Sequence, residues 1–546
     1  MEELMDRHWL GLLVAVGMGT QAAYAQEMEV VLRLKERVAM ETLAEQVTNP
    51  RSPRYAKFYD PDEIRDLAAP LPSDYANFIS QLKAKGLKLI GESKSHLYVT
   101  VSGDSQLFES LFSTKIDFLS TGKRHAHLSP QIPTDLAFVQ SVTGLDTTRA
   151  SRSHLRIGKI LGPVKGVTVN GNQTDTPAGL TPAYIKTAYG FTGIYQAGYS
   201  GKGQHIAIAS YNGFYVDDVQ QYYAQVGISP APTVDQVNFN GTAVYDESSA
   251  METQVDAEFS GMIAPGSQIH VFTSSHNDDA GELQLFTAIL DDGRAKVVNY
   301  SWGDCEAHVT QQHFQDLNSV FARAVAQGVN IMVASGDWGA SGCPLILPKA
   351  SRATQASPSV FHGVKDDLPS PLSADWPAAN PYVVAVGGTT VNGGDNGAVQ
   401  ETGWESSGGG VSSQFPLPTW QKNFSSPYLK RSFPDVSFNA DPNSGQAAWV
   451  HYSGKPTWAQ IGGTSIAAPQ WSGFMSLVGE ARTGQSALGY LNPHIYGLSS
   501  AQYPETFHDI TVGDNSGFLA GPGWDAVTGW GSMRAFELLD WLRRLQ

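Results

Sequence analysis

Ser465 lies in the run Gly463-Thr464-Ser465-Ile466-Ala467-Ala468-Pro469. A serine reached through tight glycines at the start of a helical run is exposed and faces backbone N–H groups, which suits a nucleophile. The simpler use of such a serine is to cap the helix. Pro469 falls in the first helical turn or just beyond, where a proline does least harm. A serine nucleophile needs a base, and histidine is the common one. The 14 histidines include no His-Gly-Thr stretch, and none sits in a glycine-rich setting at a strand end.

Carboxylates are better placed. Glu252 and Asp256 stand four apart in Met251-Glu252-Thr253-Gln254-Val255-Asp256-Ala257-Glu258-Phe259. On a helix that spacing puts both on one face, one turn apart. Like charges so close repel, so one proton tends to be retained between them. The competing reading is a capping box, Ser249-x-x-Glu252, with Asp256 on a solvated face. A third carboxylate, Asp337, stands in Ala334-Ser335-Gly336-Asp337-Trp338-Gly339, directly after an apolar strand. If protonated, such a group can donate a hydrogen bond to a developing oxyanion. Its plainer reading is an Asp-x-Gly turn.

The elements that must position these residues alternate. His205–Ser210, Gln268–Phe272, Ala295–Tyr300, Val329–Ala334 and Tyr382–Val386 are short apolar runs, with helical stretches such as Thr310–Gln327 between them. That alternation predicts a parallel sheet covered on both faces, with its site at the carboxyl ends of the strands. A smaller α+β unit precedes it. Met28–Leu34 and His96–Val101 read as strands, the latter closed by Ser102-Gly103. Met40–Val47, Asp74–Lys85 and Ser105–Phe112 read as helices. Residues 156–180 are turn-rich and poorly apolar, as an exposed and cleavable linker would be.

Charge is unevenly placed. Residues 27–180 hold 19 Lys+Arg against 17 Asp+Glu, whereas residues 181–546 hold 16 against 32. The net charge of −16 argues against nucleic-acid binding. The asymmetry serves solubility, or makes the two parts attract at neutral pH and separate when carboxylates protonate. Residues 1–25 read as a signal peptide, with an apolar stretch from Trp9 to Thr20 and a cleavage site at Ala23-Tyr24-Ala25. Acidic residues outnumber Arg7 at its start, so Met5 is an alternative start. No later run reaches the roughly 18 apolar residues of a spanning helix, so the mature form is expected outside the cell without a membrane span. Cys305 and Cys343 leave one disulfide possible after export.

Taken together, these stretches resemble the sedolisin family, the serine-carboxyl peptidases. The resemblance rests on Glu252 and Asp256 followed by Ala264-Pro265-Gly266, on Ser301-Trp302-Gly303, on Gly336-Asp337-x-Gly339, and on Gly463-Thr464-Ser465 with Pro469, all in the family's order. Ser52-Pro53-Arg54-Tyr55 and Val101-Ser102-Gly103 fall where the family's activation domain has them. The resemblance implies a subtilisin-like, doubly wound, mostly parallel catalytic sheet at 181–546. It also implies a small ferredoxin-like prodomain at 26–155, acting as an intramolecular inhibitor and cut off near 160–180. Ser465 would attack the peptide carbonyl, Glu252 would take its proton, Asp256 would orient Glu252, and a protonated Asp337 would hold the oxyanion. Ser301, Trp302 and Gly303 would hold the substrate backbone. Some members extend the carboxylate chain with a Glu where this chain has Ser210. His508-Asp509-Ile510-Thr511 and Gly521–Asp525 resemble the family's structural calcium site. Its ligands would be Asp509 and Asp525 by carboxylate and Ile510, Gly521 and Gly523 by carbonyl, with Asp514 nearby. The expected product is a secreted, monomeric, acid-acting endopeptidase of proteins and peptides. A histidine-dependent subtilisin and a non-catalytic binding protein on the same scaffold are the alternatives.

Overall fold

Alternating residues of the strand Glu27–Leu34 face two different cores. Val30, Leu32 and Leu34 pack with Phe78, Leu82, Val99, Phe108 and Phe112 inside the N-terminal unit, whereas Val31 joins the core of the larger unit. Period-two alternation makes this division possible, and from Val30 to Leu34 the strand is buried on both faces. The computed structural model describes residues 26–162, 179–343, 372–393, 399–422 and 428–545. The expected signal peptide and residues 163–178 of the expected linker lie outside them.

The N-terminal sheet runs Lys88–Glu92, Tyr98–Asp104, Glu27–Leu34, Val139–Thr143, each pair antiparallel. With helices between its strands, this is the expected ferredoxin-like unit. One boundary is extended and one helix is new relative to the sequence reading. The strand expected to close at Ser102-Gly103 continues to Asp104, whose side chain then caps the helix Ser105–Phe112. The helix Pro61–Ala68 was not read from sequence, although Asp60 and Glu63 form a capping box around Pro61.

In the larger unit, parallel strands run in the order Thr233–Asn238, Gln268–Thr273, His205–Ser210, Val297–Tyr300, Asn330–Ala334, Val384–Val391, Val436–Asn439, Ser532–Met533. Phe507–His508 closes one edge antiparallel. Among the described residues no helix is long and apolar enough to cross a membrane.

Two buried helices carry the candidate chemistry. Glu247–Ile263 is buried from Ala250 onward, and Thr464–Ala481 from Thr464 to Val478. They approach closely because Gly473 has no side chain. A β-carbon there would lie 2.7 Å from the Ser260 carbonyl oxygen and from Ile263 Cβ. Pro469 sits inside the second helix, beyond the first turn.

The linker expectation needs correction. Arg156–Gly162 is not turn but strand, paired antiparallel with Lys455–Gly462. Just before it, Arg152–Ser153 pairs antiparallel with Trp302–Cys305. Exposed backbone in the larger unit supplies the partners that a loop would lack.

Candidate active site

Glu252 and Asp256 are wholly buried, so the capping-box reading fails. The helix begins earlier, with Asp246 as its cap, and Ser249 lies inside its first turn. Asp256 accepts a 2.6 Å hydrogen bond from Ser301 Oγ, which itself accepts from Asn299 at 3.1 Å. Ser210 bonds Thr253 at 2.6 Å and adds no carboxylate to the pair. Burial pushes Glu252 well above the usual carboxylate range, and the Asp256 charge pushes the same way. Burial also raises Asp256, against the bond from Ser301. Glu252 Oε1 and Asp256 Oδ2 are buried without a hydrogen-bond partner.

Ser465 is the second residue of its helix, after an N-cap at Gly463. Its hydroxyl does not cap. Instead Ser465 Oγ donates to Glu252 Oε2 at 2.9 Å. A hydroxyl aimed at a carboxylate can pass it a proton on becoming a nucleophile. Asp337 comes from the loop after Asn330–Ala334. Its Oδ1 accepts from the Thr464 N–H at 2.8 Å and the Thr464 hydroxyl at 2.9 Å, which ties it to the turn before Ser465. Gly463 holds φ +95°, and a β-carbon there would collide with Asp337 Oδ2 and with the His154 carbonyl oxygen. The disulfide Cys305–Cys343 joins the strand Trp302–Cys305 to the segment after Asp337.

Ser465 is fully buried rather than exposed as its motif predicts, because residues 150–156 lie over it. Ser153 and Arg152 pair with Trp302 and Gly303, and the His154 N–H donates to the Ser301 carbonyl at 3.2 Å. The His154 carbonyl accepts from the Ser465 N–H at 3.3 Å. Ser153 Oγ donates to the same Glu252 oxygen as Ser465 does. His154 Nε2 lies 3.4 Å from the buried Asp375, whose carboxyl burial lifts to about 6. Arg156 Nε donates to Asp337 Oδ2 at 3.2 Å, and its Nη2 to the Asp337 carbonyl at 2.8 Å. In this arrangement, with the linker in place, both Asp337 oxygens accept, Oδ1 from Thr464 and Oδ2 from Arg156. Burial still raises its pKa, with Arg156 and His154 acting against that rise.

A model of the pro-kumamolisin activation domain matches residues 20–148, and a model of the subtilase family matches residues 230–500. Kumamolisin of Bacillus sp. (strain MN-32) is 34% identical over 437 residues, covering 75% of this chain and 72% of that protein. The chain belongs to the sedolisin family. Sedolisin of Pseudomonas sp. (strain 101) is 28% identical across 94% of this chain and 86% of its own. Human tripeptidyl-peptidase 1 is 26% identical across 95% and 91%. The solved structure of Pseudomonas sedolisin complexed with two molecules of pseudo-iodotyrostatin superposes with a TM-score of 0.57 at 29% identity, covering 68% of this chain and 99% of that one. This chain is therefore a serine-type peptidase made with an activation domain.

Other parts of this sedolisin-family chain can be placed on that footing. Asp509 Oδ1 and Oδ2 accept from the Gly523 N–H at 3.1 Å, and Asp525 Oδ2 accepts from Gly521 at 3.1 Å. The two carboxylates thus gather one loop. The carbonyls of Ile510, Gly521 and Gly523 accept no hydrogen bond from a described residue. This all-oxygen donor set fits a hard divalent cation. Asp514 instead caps its own turn through Ser516. Sequence reasoning missed Ser153, His154, Arg156 and Asp375. The available signal was the basic run Arg149-Ala150-Ser151-Arg152-Ser153-His154-Leu155-Arg156, ahead of a strongly acidic domain.

Proposed function

We propose that the chain is the precursor of a secreted, acid-acting endopeptidase in which Ser465 is the nucleophile and Glu252 its base. The observation that carries this reading is the 2.9 Å hydrogen bond from Ser465 Oγ to Glu252 Oε2, with no histidine bonded to that hydroxyl among the described residues. Ser465 Oγ attacks the peptide carbonyl carbon while Glu252 takes its proton. The oxyanion receives the Ser465 N–H and the O–H of a protonated Asp337. Glu252 then returns the proton to the leaving amine, and water repeats the sequence on the acyl-enzyme. Asp256, held by Ser301, sets the orientation of Glu252 and shares its charge. Trp302 and Gly303 pair with the substrate backbone as they pair with Ser153 and Arg152.

The same geometry describes the inhibited state. The linker fills the cleft, Ser153 shares the base, and Arg156 keeps Asp337 ionised. The bond presented to Ser465 is His154–Leu155, ahead of the 160–180 stretch where sequence placed the cut. Cutting it releases the prodomain, and trimming of the turn-rich stretch follows. Endopeptidase action is favoured over removal of tripeptides. The cleft continues past the third residue before the bond, where Ser151 exchanges two hydrogen bonds with Asn277. Calcium held by Asp509, Asp525 and the carbonyls of Ile510, Gly521 and Gly523 would clamp the C-terminal loop. A signal peptide at 1–25 fits a protein that keeps a disulfide, and the working form is a monomer.

The test is to acidify the purified precursor to about pH 4, where ordinary carboxyl groups begin to gain protons, and sequence the new N-terminus. The expected product begins at Leu155, and the Ser465→Ala precursor stays intact. Processing of the Ser465→Ala protein in the absence of other peptidases would contradict the proposal.

A further inference from the structure

Beyond Ser151 the linker reaches a second group of buried charges. Arg149 Nε donates to Asp279 and its Nη2 to Glu282. The same Nη2 lies 3.0 Å from His313 Nε2, which is 2.7 Å from Glu282 Oε2. Tyr300 donates to the other Glu282 oxygen at 2.8 Å. Asp279 opens the helix Asp279–Asp292, and His313 stands in the first turn of Gln311–Ala326. Glu282 and His313 are almost wholly buried, at 0% and 1% side-chain exposure.

All of these partners belong to the catalytic unit and stay when the prodomain leaves. Burial alone would raise the Glu282 pKa, yet Arg149 and His313 outweigh it and hold that carboxyl at about 2. Removing one member of a buried ion pair leaves an uncompensated charge, among the costlier changes a protein interior can undergo. The socket is shaped for a guanidinium, whose planar fork reaches two carboxylates at once. It also continues the cleft. The backbone is gripped at His154, Ser153, Arg152 and Ser151, and Arg149 enters the socket two residues further on.

We propose that Asp279, Glu282 and His313 form a subsite for an arginine side chain six residues before the cleaved bond. In the precursor Arg149 fills it, and in the mature enzyme the substrate's arginine does. The inference rests on the reading that the linker lies in the cleft as a substrate does. Selectivity for this peptidase would then extend well beyond the residues flanking the cut.

The test uses an acetylated peptide copying residues 147–158 and a second with Gln in place of the Arg149 equivalent. With mature enzyme, the arginine peptide should show a kcat/KM higher by about tenfold, mostly through KM. The ratio is taken within each protein, so that a general loss of activity cancels. In Asp279→Asn and in Glu282→Gln it should fall to within about twofold. Equal kcat/KM for the two peptides in the wild type, or an undiminished ratio in both variants, would overturn the subsite. A preference that emerges only after chelator treatment would also overturn it, since a metal ion would then be the resident of the socket. A peptide starting at the Arg152 equivalent reports peptidase activity by itself. If the wild type fails to cut it, the peptidase reading falls, and the subsite with it.

Discussion

Asp337 is asked to do two incompatible things, and the proton decides between them. As an ion it accepts from Arg156 and helps seat the linker. As an acid it can donate to an oxyanion. Burial raises its pKa, so it gains a proton at milder acidity than an exposed aspartate would. In the proposed mechanism, acidification therefore weakens the Arg156 contact and arms the oxyanion site together. Glu282, held at about 2, keeps its charge over the same range, so its pairing with Arg149 is not what mild acid opens. Replacing Arg156 by Ala removes the partner that favours the ionised form. The precursor should then convert at a pH higher by about one unit, measured as the midpoint of conversion in a pH series. In the mature enzyme Asp337→Ala should lower kcat by about a hundredfold or more with little change in KM.

At the scale of elements, the Glu252–Asp256 pair proposed to serve Ser465 owes its raised pKa values to a buried helix, and that burial has a stability consequence with a definite sign. The folded-state pKa of Asp256 is raised, so the native protein holds a proton that the unfolded chain releases at ordinary aspartate pH. Stability contributed by that proton is present in acid and is lost as pH climbs from the unfolded value through the folded one. Asp256→Asn carries no such charge. In a Ser465→Ala background it should match its parent near pH 4 and exceed it near neutrality. The gain should be about 1.4 kcal/mol for every tenfold by which folding tightens the hold of Asp256 on its proton. Denaturant midpoints at the two pH values check this. The helix period and the four-residue spacing made the pair legible in the sequence, and the apolar runs marked five of the eight parallel strands but not Thr233–Asn238, Val436–Asn439 or Ser532–Met533. Burial was not legible, since Ser249 and Glu252 satisfy a capping box on paper. The strand Arg156–Gly162 was also hidden, because its pairing depends on Lys455–Gly462, distant in sequence. Ser465 was expected exposed because nothing near it in sequence reveals that residues 150–156 cover it.

Across the whole molecule, the charge asymmetry between the two parts of the chain has structural counterparts. Arg33 meets Asp316 at 3.0 Å, Arg149 meets Asp279 and Glu282, and Arg156 meets Asp337, each joining a base from the N-terminal part to an acid of the catalytic unit. The −16 of residues 181–546 is thus partly a docking surface for the prodomain and not only a means of solubility. At the far end, the loop holding Asp509 and Asp525 spans a stretch without regular structure, where a cation would tie carboxylates and carbonyls together. Calcium at about a hundredfold excess over its Kd should stabilise the mature enzyme by about 3 kcal/mol. Chelation should lower its Tm, and Asp525→Asn should abolish that response.

The central claim is that the serine is served by a carboxylate pair and opposed by a carboxyl that must be protonated. The pH dependence of kcat/KM for the mature enzyme tests it most directly. A carboxylate pair predicts a maximum in acid, a fall below it as the pair takes its second proton, and a fall toward neutrality as Asp337 ionises. Activity that instead climbs through about pH 6–7 to a plateau, as a histidine base produces, would contradict the claim.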